Sequence, residues 1–227
     1  MKFDHNNISP LDNRYLSKIE DIRSIFSEYS LLKTRFLIEI NWLLYLCQKY
    51  PNYFSKLSNQ SKNKIIKFRD SFDDKSVLEI KKIEKVTNHD VKAVEYYIKN
   101  FFKKDNVLNK YIHLIHFGLT SEDINSLSYA IMINDGLKVY EKDLKNLNTN
   151  LKKLSSKWSN IPLLSRTHGQ AASPTTIGKE IKVFQMRIDR EIKKLNSVVP
   201  LAKFSGAVGN HHAFDIAEGR INCCLLY

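Results

Sequence analysis

Apolar residues at Ile22, Ile25, Tyr29, Leu32, Phe36, Ile40 and Leu43 recur at intervals of three and four. That spacing lines one face of a single long helix, which Pro51 ends. A second helix fits residues 55–69, and a third fits "VKAVEYYIKNFF" (91–102), entered through Thr87 or Asn88 as its cap. From Thr120 the rhythm becomes more regular. "TSED" offers a hydroxyl cap and then carboxylates in the first turn, where the helix dipole favours negative charge. Leu137, Tyr140, Leu144, Leu147, Leu151, Leu154 and Trp158 then repeat like a heptad seam, and Pro162 closes the segment. Ser173 and Pro174 read as a cap followed by a first-turn proline. They would open a second stripe of Ile177, Ile181, Phe184, Ile188, Ile192, Leu195 and Val199, closed by Pro200.

No segment alternates as a strand would, and there is no internal repeat. All seven glycines lie at or after Gly118, so the first hundred residues read as helices joined by short polar loops. The expected fold is all-α. A mixed helical N-terminal domain covers 1–117, the first part of a long-helix bundle covers 118–210, and a divergent tail covers 211–227. Two long stripes cannot bury each other fully, so the bundle is expected to need further helices, from other subunits or from more sequence.

Composition narrows the class. The 227 residues are 43% hydrophobic and 26% charged, ordinary values for a soluble globular protein. "MKFDHNNISPLDNRY" has no apolar core of a secretory signal. The most apolar stretch, "FLIEINWLLYLC", is interrupted by Glu39 and Asn41 and is too short and polar to span a bilayer. Cys47, Cys223 and Cys224 have neither disulfide-framework nor zinc spacing, and the expected compartment is cytoplasmic. The net charge of +12 fits either a polyanionic partner or a lysine-rich solvated surface. The basic residues are scattered as pairs over helix faces, which favours the surface and no nucleic-acid partner.

Four polar stretches fall where the helical rhythm pauses: "SPLDNRY" (9–15), "TNHD" (87–90), "TSED" (120–123) and "SRTHGQ" (165–170). Each lies at a loop or helix start, where free backbone N–H groups can hold anions. Arg14 can fork onto a phosphate or carboxylate, and Thr120 and Ser121 can donate hydroxyls. His89 and His168 suit proton transfer near neutral pH. His113 and His116 are three apart, but no third ligand stands at metal-binding spacing, so no metal is expected. A glycine-rich phosphate loop and a serine- or cysteine-nucleophile signature are both lacking.

Taken together and in order, these stretches resemble bacterial-type adenylosuccinate lyase, of the fumarase/argininosuccinate lyase superfamily. "SPLDNRY", "IFSEYSLLKTRF", "TNHDVKAVEYY", "IHFGLTSEDINSLSYAIM", "IPLLSRTHGQ", "TTIGKEI" and "GAVGN" carry the resemblance, from about Ile8 to Asn210. It implies β-elimination of fumarate from adenylosuccinate and from the succinylated aminoimidazole carboxamide ribotide, two steps of purine biosynthesis, with no cofactor. A base acts at the carbon beside a carboxylate, an acid acts at the departing nitrogen, and donors stabilise the intermediate. By the same resemblance, Arg14 and Tyr15 hold the nucleotide phosphate, and Asn88, His89 and Asp90 line the nucleotide site. Thr120, Ser121 and Thr167 contact the succinyl carboxylates, and His168 is the general acid. The implied assembly is a homotetramer whose sites combine three subunits.

Three departures accompany the match. Asn13 stands where the family usually has glycine, and Ala171 where it has proline. After Asn210 the resemblance fades, and the family's third signature, a flexible loop bearing the serine base, has no counterpart here. The expectation is therefore an inactive fragment when this polypeptide is alone. Two other readings stay open: another fumarate-releasing lyase of the superfamily, such as one acting on argininosuccinate, or a basic helical scaffold or nucleic-acid binder.

Overall fold

A computed structural model describes residues 9, 11, 14–54 and 56–214. Asn13, Cys223, Cys224 and the tail beyond Phe214 lie outside the described residues. The chain divides into two compact units. One comprises the described residues up to Ile133 together with those from Leu201 onward, and the other comprises Asn134–Pro200. Among the described residues the structure is all-α apart from one hairpin.

The first unit begins with a 3-10 turn, Leu16–Lys18, followed by α1 (Glu20–Phe26) and α2 (Glu28–Lys49). The single helix expected through Ile22 and Leu43 is thus two helices. Ser27 is extended at φ −71° and ψ 160°, and its hydroxyl accepts the Ser30 N–H at 3.3 Å, capping α2. A serine that satisfies a free N–H in this way competes with helix continuation. A short α3 (Pro51–Phe54) leads to α4 (Asn59–Asp70).

Next comes α5 (Asp74–Thr87), which has no counterpart in the periodicity read above. Only Ser76 and Ile80 are buried along it, and an Asp73–Ser76 capping box starts it. Then α6 (Asp90–Lys103) begins with His89 as its cap, not Thr87 or Asn88. Asn88 instead ends α5 in the left-handed region at φ 50°, a conformation asparagine tolerates. A 3-10 turn, Asn109–Leu114, and the loop after it lead into α7 (Ser121–Lys157).

The core of this unit is buried and rich in aromatic rings. Phe36 has no exposed surface and packs against Phe68 at 5.1 Å, Phe72 at 5.0 Å and Tyr97 at 5.9 Å between ring centres. Ile40, Leu43, Ile65, Ile80, Val94, Ile98 and Phe102 are equally sealed. Burying each such side chain contributes about 1.5–3 kcal/mol, and this core holds the helix starts that form the site below.

The second unit corrects the strand-free expectation. β1 (Pro162–Thr167) pairs antiparallel with β2 (Gln170–Thr176), with Thr167 opposite Gln170 and Pro162 opposite Thr176. His168 and Gly169 form the two-residue connection with φ 51° and 77°, both positive as in the primed turns that match strand twist. The register slips between Leu164 and Arg166, a bulge that interrupts the alternation a strand would otherwise show.

The following helix, α8 (Ile177–Leu195), is capped by Thr176, whose hydroxyl accepts the Lys179 N–H at 3.1 Å. Ser173 and Pro174 therefore lie inside β2 and do not start a helix. Gly178 is where α8 touches the end of α7. A β-carbon there would sit 2.3 Å from the Ser155 carbonyl oxygen, and the Ser155 hydroxyl donates to the Gly178 carbonyl at 2.9 Å. The two long stripes remain partly uncovered, as expected. Tyr140, Leu147, Phe184 and Val199 are exposed, while Ile192 is buried.

Candidate active site

In the first unit the starts of α6 and α7 share a cleft of about 630 Å³, lined by Thr87, His89, Lys92, Tyr96, His116, Leu119, Thr120 and Ser121. Two helix N-termini, an ammonium and two imidazoles make it suited to anions.

His89 is held by its capping role. Its Nδ1 accepts the Lys92 N–H at 3.2 Å, so Nδ1 carries no hydrogen and the proton of the neutral ring belongs to Nε2. Nε2 lies 3.5 Å from Ser121 Oγ, which places a ring N–H beside that hydroxyl. His89 is a donor toward the cleft in this pose. Asp90, next in sequence, pairs with the buried Arg35 guanidinium at 2.8 Å. Partial burial works against the Asp90 carboxylate, but the Val91 N–H and Arg35 outweigh it and hold its carboxyl below the usual range. Arg35 thereby ties the start of α6 to the middle of α2.

Below the cleft sits a second charged group. Glu39 is fully buried, and its Oε1 lies 2.5 Å from His116 Nδ1. Burial opposes charging His116, yet Glu39, with help from Glu95, raises its pKa above the ordinary histidine value. Glu95, itself buried, is bridged by Lys92 at 2.8 Å and Lys99 at 2.5 Å, which hold its carboxyl low against the cost of burial. His116 adopts left-handed backbone at φ 63°, and Trp42 Nε1 donates to the carbonyl of the next residue, Phe117, at 2.9 Å.

Asn88, His89, Asp90, Thr120 and Ser121 are therefore brought to two adjoining helix starts, with His89, Thr120 and Ser121 on the cleft itself. Arg14 and Tyr15 lie in a turn at the start of the same unit. The Arg14 guanidinium stands 5.4 Å from the Tyr15 ring centre, and neither residue lines the cleft. Thr167 and His168 belong to the second unit, exposed at the end of β1 and in the hairpin turn.

Sequence reading overlooked His116, Lys92 and Tyr96 as site residues. The helical period could have found two of them, since 89, 92 and 96 share a face at three and four spacing. His113 and His116 are three apart in sequence but do not act as a pair. In the structure His113 is exposed, while His116 turns to Glu39. Among the described residues, no group of three or more His, Cys, Asp or Glu could hold a metal ion, and no helix is long and apolar enough to cross a membrane.

Comparisons with known proteins bear on family and fold. The chain is 40% identical over 222 residues to adenylosuccinate lyase of Buchnera aphidicola subsp. Baizongia pistaciae, an alignment covering 95% of this chain and 47% of that protein. It is 43% identical over 212 residues to adenylosuccinate lyase of Vibrio cholerae, covering 91% and 46%. The chain thus spans about half the length of the curated relatives it matches. Among solved structures, a fumarate lyase from Mesorhizobium sp. BNC1 has the same fold, with a TM-score of 0.71 at 19% identity over 86% of this chain and 44% of that one. The family model Lyase_1, described as "Lyase", matches residues 13–222, and the chain belongs to that family of lyases.

Proposed function

We propose that this chain carries the nucleotide- and succinyl-binding part of an adenylosuccinate lyase site. The reaction is β-elimination of fumarate from adenylosuccinate and from the succinylated aminoimidazole carboxamide ribotide. The observation that carries the reading is the cleft in which His89, the cap of α6, meets Ser121, the first residue of α7, at 3.5 Å. A substrate bearing a phosphate and two carboxylates needs several donors and positive charge in one place. Here the starts of two helices and the His89 Nε2–H supply donors, beside Lys92 and His116, which are shared with the buried Glu95 and Glu39.

Within this reading His89 donates through Nε2 to the nucleotide portion, with Asn88 and Asp90 shaping the approach. Thr120 and Ser121 donate hydroxyls to the succinyl carboxylates, with Thr167 assisting, and Arg14 and Tyr15 receive the phosphate. His168 delivers the proton to the leaving nitrogen. No cofactor takes part. The proposed assembly is a cytoplasmic homotetramer, and the exposed apolar stripe through Phe184 and Val199 supports association.

The direct test is calorimetric titration of the 227-residue protein with AMP and with adenylosuccinate. Saturable binding of both is expected. His89→Ala, which removes the donor, should weaken both by about tenfold or more, the weight of a charge-assisted hydrogen bond. Absence of saturable binding by the unaltered protein overturns the reading.

A further inference from the structure

One buried carboxylate has no part in the chemistry above, yet it touches the backbone of a proposed substrate-binding residue. Asp123 lies in the first turn of α7 and has no exposed surface. Its Oδ2 accepts the Thr120 N–H at 2.9 Å and the Gly206 N–H at 3.1 Å. Its Oδ1 accepts the Ser205 N–H at 2.9 Å and is bridged by Lys203 Nζ at 2.9 Å.

A carboxylate in the first turn of a helix often caps the residue three before it, and the Thr120 bond alone would be that. The other three donors come from a segment about eighty residues later in the chain, so the arrangement is a clasp between distant parts of the unit. The clasping segment is itself anchored. The Lys203 N–H donates to Ser126 Oγ at 2.7 Å, Lys203 Nζ also donates to the Gly206 carbonyl, and Phe204 packs edge-on against Trp42 at 5.0 Å. Gly206 adopts φ 78°, the left-handed turn that aims its N–H at the carboxylate. Further along, Phe214 lies so close to Gly118 that a β-carbon there would come within 2.2 Å of its ring.

The turn before α7 is thus fastened at Phe117 by Trp42, at Gly118 by Phe214 and at Thr120 by Asp123. Of these three only the last is charged, and only it holds the backbone of a residue assigned to the substrate; the His116–Glu39 pair ties the same turn one residue earlier without touching such a residue. It also occupies the Thr120 N–H, so Thr120 can meet a ligand only through its hydroxyl.

We infer that Asp123 is a positioning residue for the succinyl group: by clasping Thr120 to the 203–206 segment it sets the direction of the Thr120 and Ser121 hydroxyls. The inference rests on the reading that these two hydroxyls contact the succinyl carboxylates. It therefore concerns adenylosuccinate, which carries that group, and not AMP, which lacks it.

Asp123→Asn keeps the shape, removes the charge and puts an N–H donor where an acceptor stood. Titration should show adenylosuccinate affinity falling by about tenfold and AMP affinity by less than about threefold. An equal loss for both ligands is what general loosening would give, and it overturns the inference, as does no loss. Lys203→Met removes only the ammonium leg from a side chain that is 35% exposed. It should shift the same ratio in the same direction by about threefold, and it decides the matter if Asp123→Asn does not fold. An unchanged ratio in Lys203→Met then counts against the clasp. If the unaltered protein binds neither ligand, the reading of the cleft fails and takes this inference with it. If it binds both and loses them in His89→Ala, but keeps the ratio in Asp123→Asn, the inference alone fails.

Discussion

The cleft of the first unit and the hairpin of the second each present a histidine at a bend in the backbone, and they do so by different means. His89 has both ring nitrogens engaged, Nδ1 by the Lys92 N–H and Nε2 beside Ser121 Oγ. Its tautomer follows from its position as a helix cap, and the helix rests on a sealed core. His168 stands in a two-residue turn on two exposed strands, and no side-chain hydrogen bond engages it among the described residues. There the backbone supplies the placement, through two positive φ angles and a bulge, and leaves the imidazole open to whatever it meets. The contrast suits the proposed roles, since a binding group benefits from being oriented beforehand, whereas a proton donor must change its bonds during the reaction.

The two units should differ most in stability. Phe36→Ala, in the core beneath the cleft, should cost about 3–5 kcal/mol in chemical denaturation. Phe184→Ala, an exposed aromatic of the second unit, should change it by less than about 0.5 kcal/mol. Comparable losses for the two would show that the hairpin unit has a core as demanding as the other, and the contrast drawn above would not hold.

A smaller effect sharpens the electrostatic side. His116 has its pKa raised in the folded state by Glu39. Its contribution to stability is therefore fully present below the ordinary value near 6.5 and is lost as pH rises through the higher folded value. Glu39→Gln keeps the shape and one hydrogen bond, so its cost should be about 1–3 kcal/mol below pH 6.5 and should shrink at alkaline pH. Urea denaturation of both proteins across pH 5.5–9 measures it. A cost that grows with pH would mean that His116 is not the positive partner.

Much of the fold was legible in the sequence because periodicity reports packing. The stripe through Phe36 and Leu43 and the helix over 91–102 face the core, as does the start of the long helix after Thr120 through Ile124 and Met132. What escaped has local physical causes. Ser27 interrupts a helix whose apolar spacing continues straight through it. The helix α5 buries too narrow a face to declare itself. The hairpin carries a bulge and two exposed faces, so neither alternation nor a hydrophobic run marks it. In the cleft, the histidine and hydroxyl residues were legible as helix-start chemistry. Glu39 and Arg35 were not, because on the sequence they are merely charges inside an apolar stripe. Their partners lie 77 residues away for Glu39 and at the start of another helix for Arg35.

The smallest effect separates the two duties assigned to His89. As a cap it satisfies one N–H of α6, and capping side chains are worth about 1 kcal/mol. As a donor it reaches toward Ser121. Asparagine is a strong cap but is shorter than histidine, so it can accept the Lys92 N–H without extending to the Ser121 hydroxyl. His89→Ala should therefore lose about 1 kcal/mol of stability together with ligand affinity, whereas His89→Asn should keep the stability and still lose the affinity. Thermal denaturation and AMP titration on the two variants give the four numbers required. If His89→Asn retains full affinity, the imidazole serves α6 alone, and the first unit's histidine is as unengaged with substrate as any other helix cap.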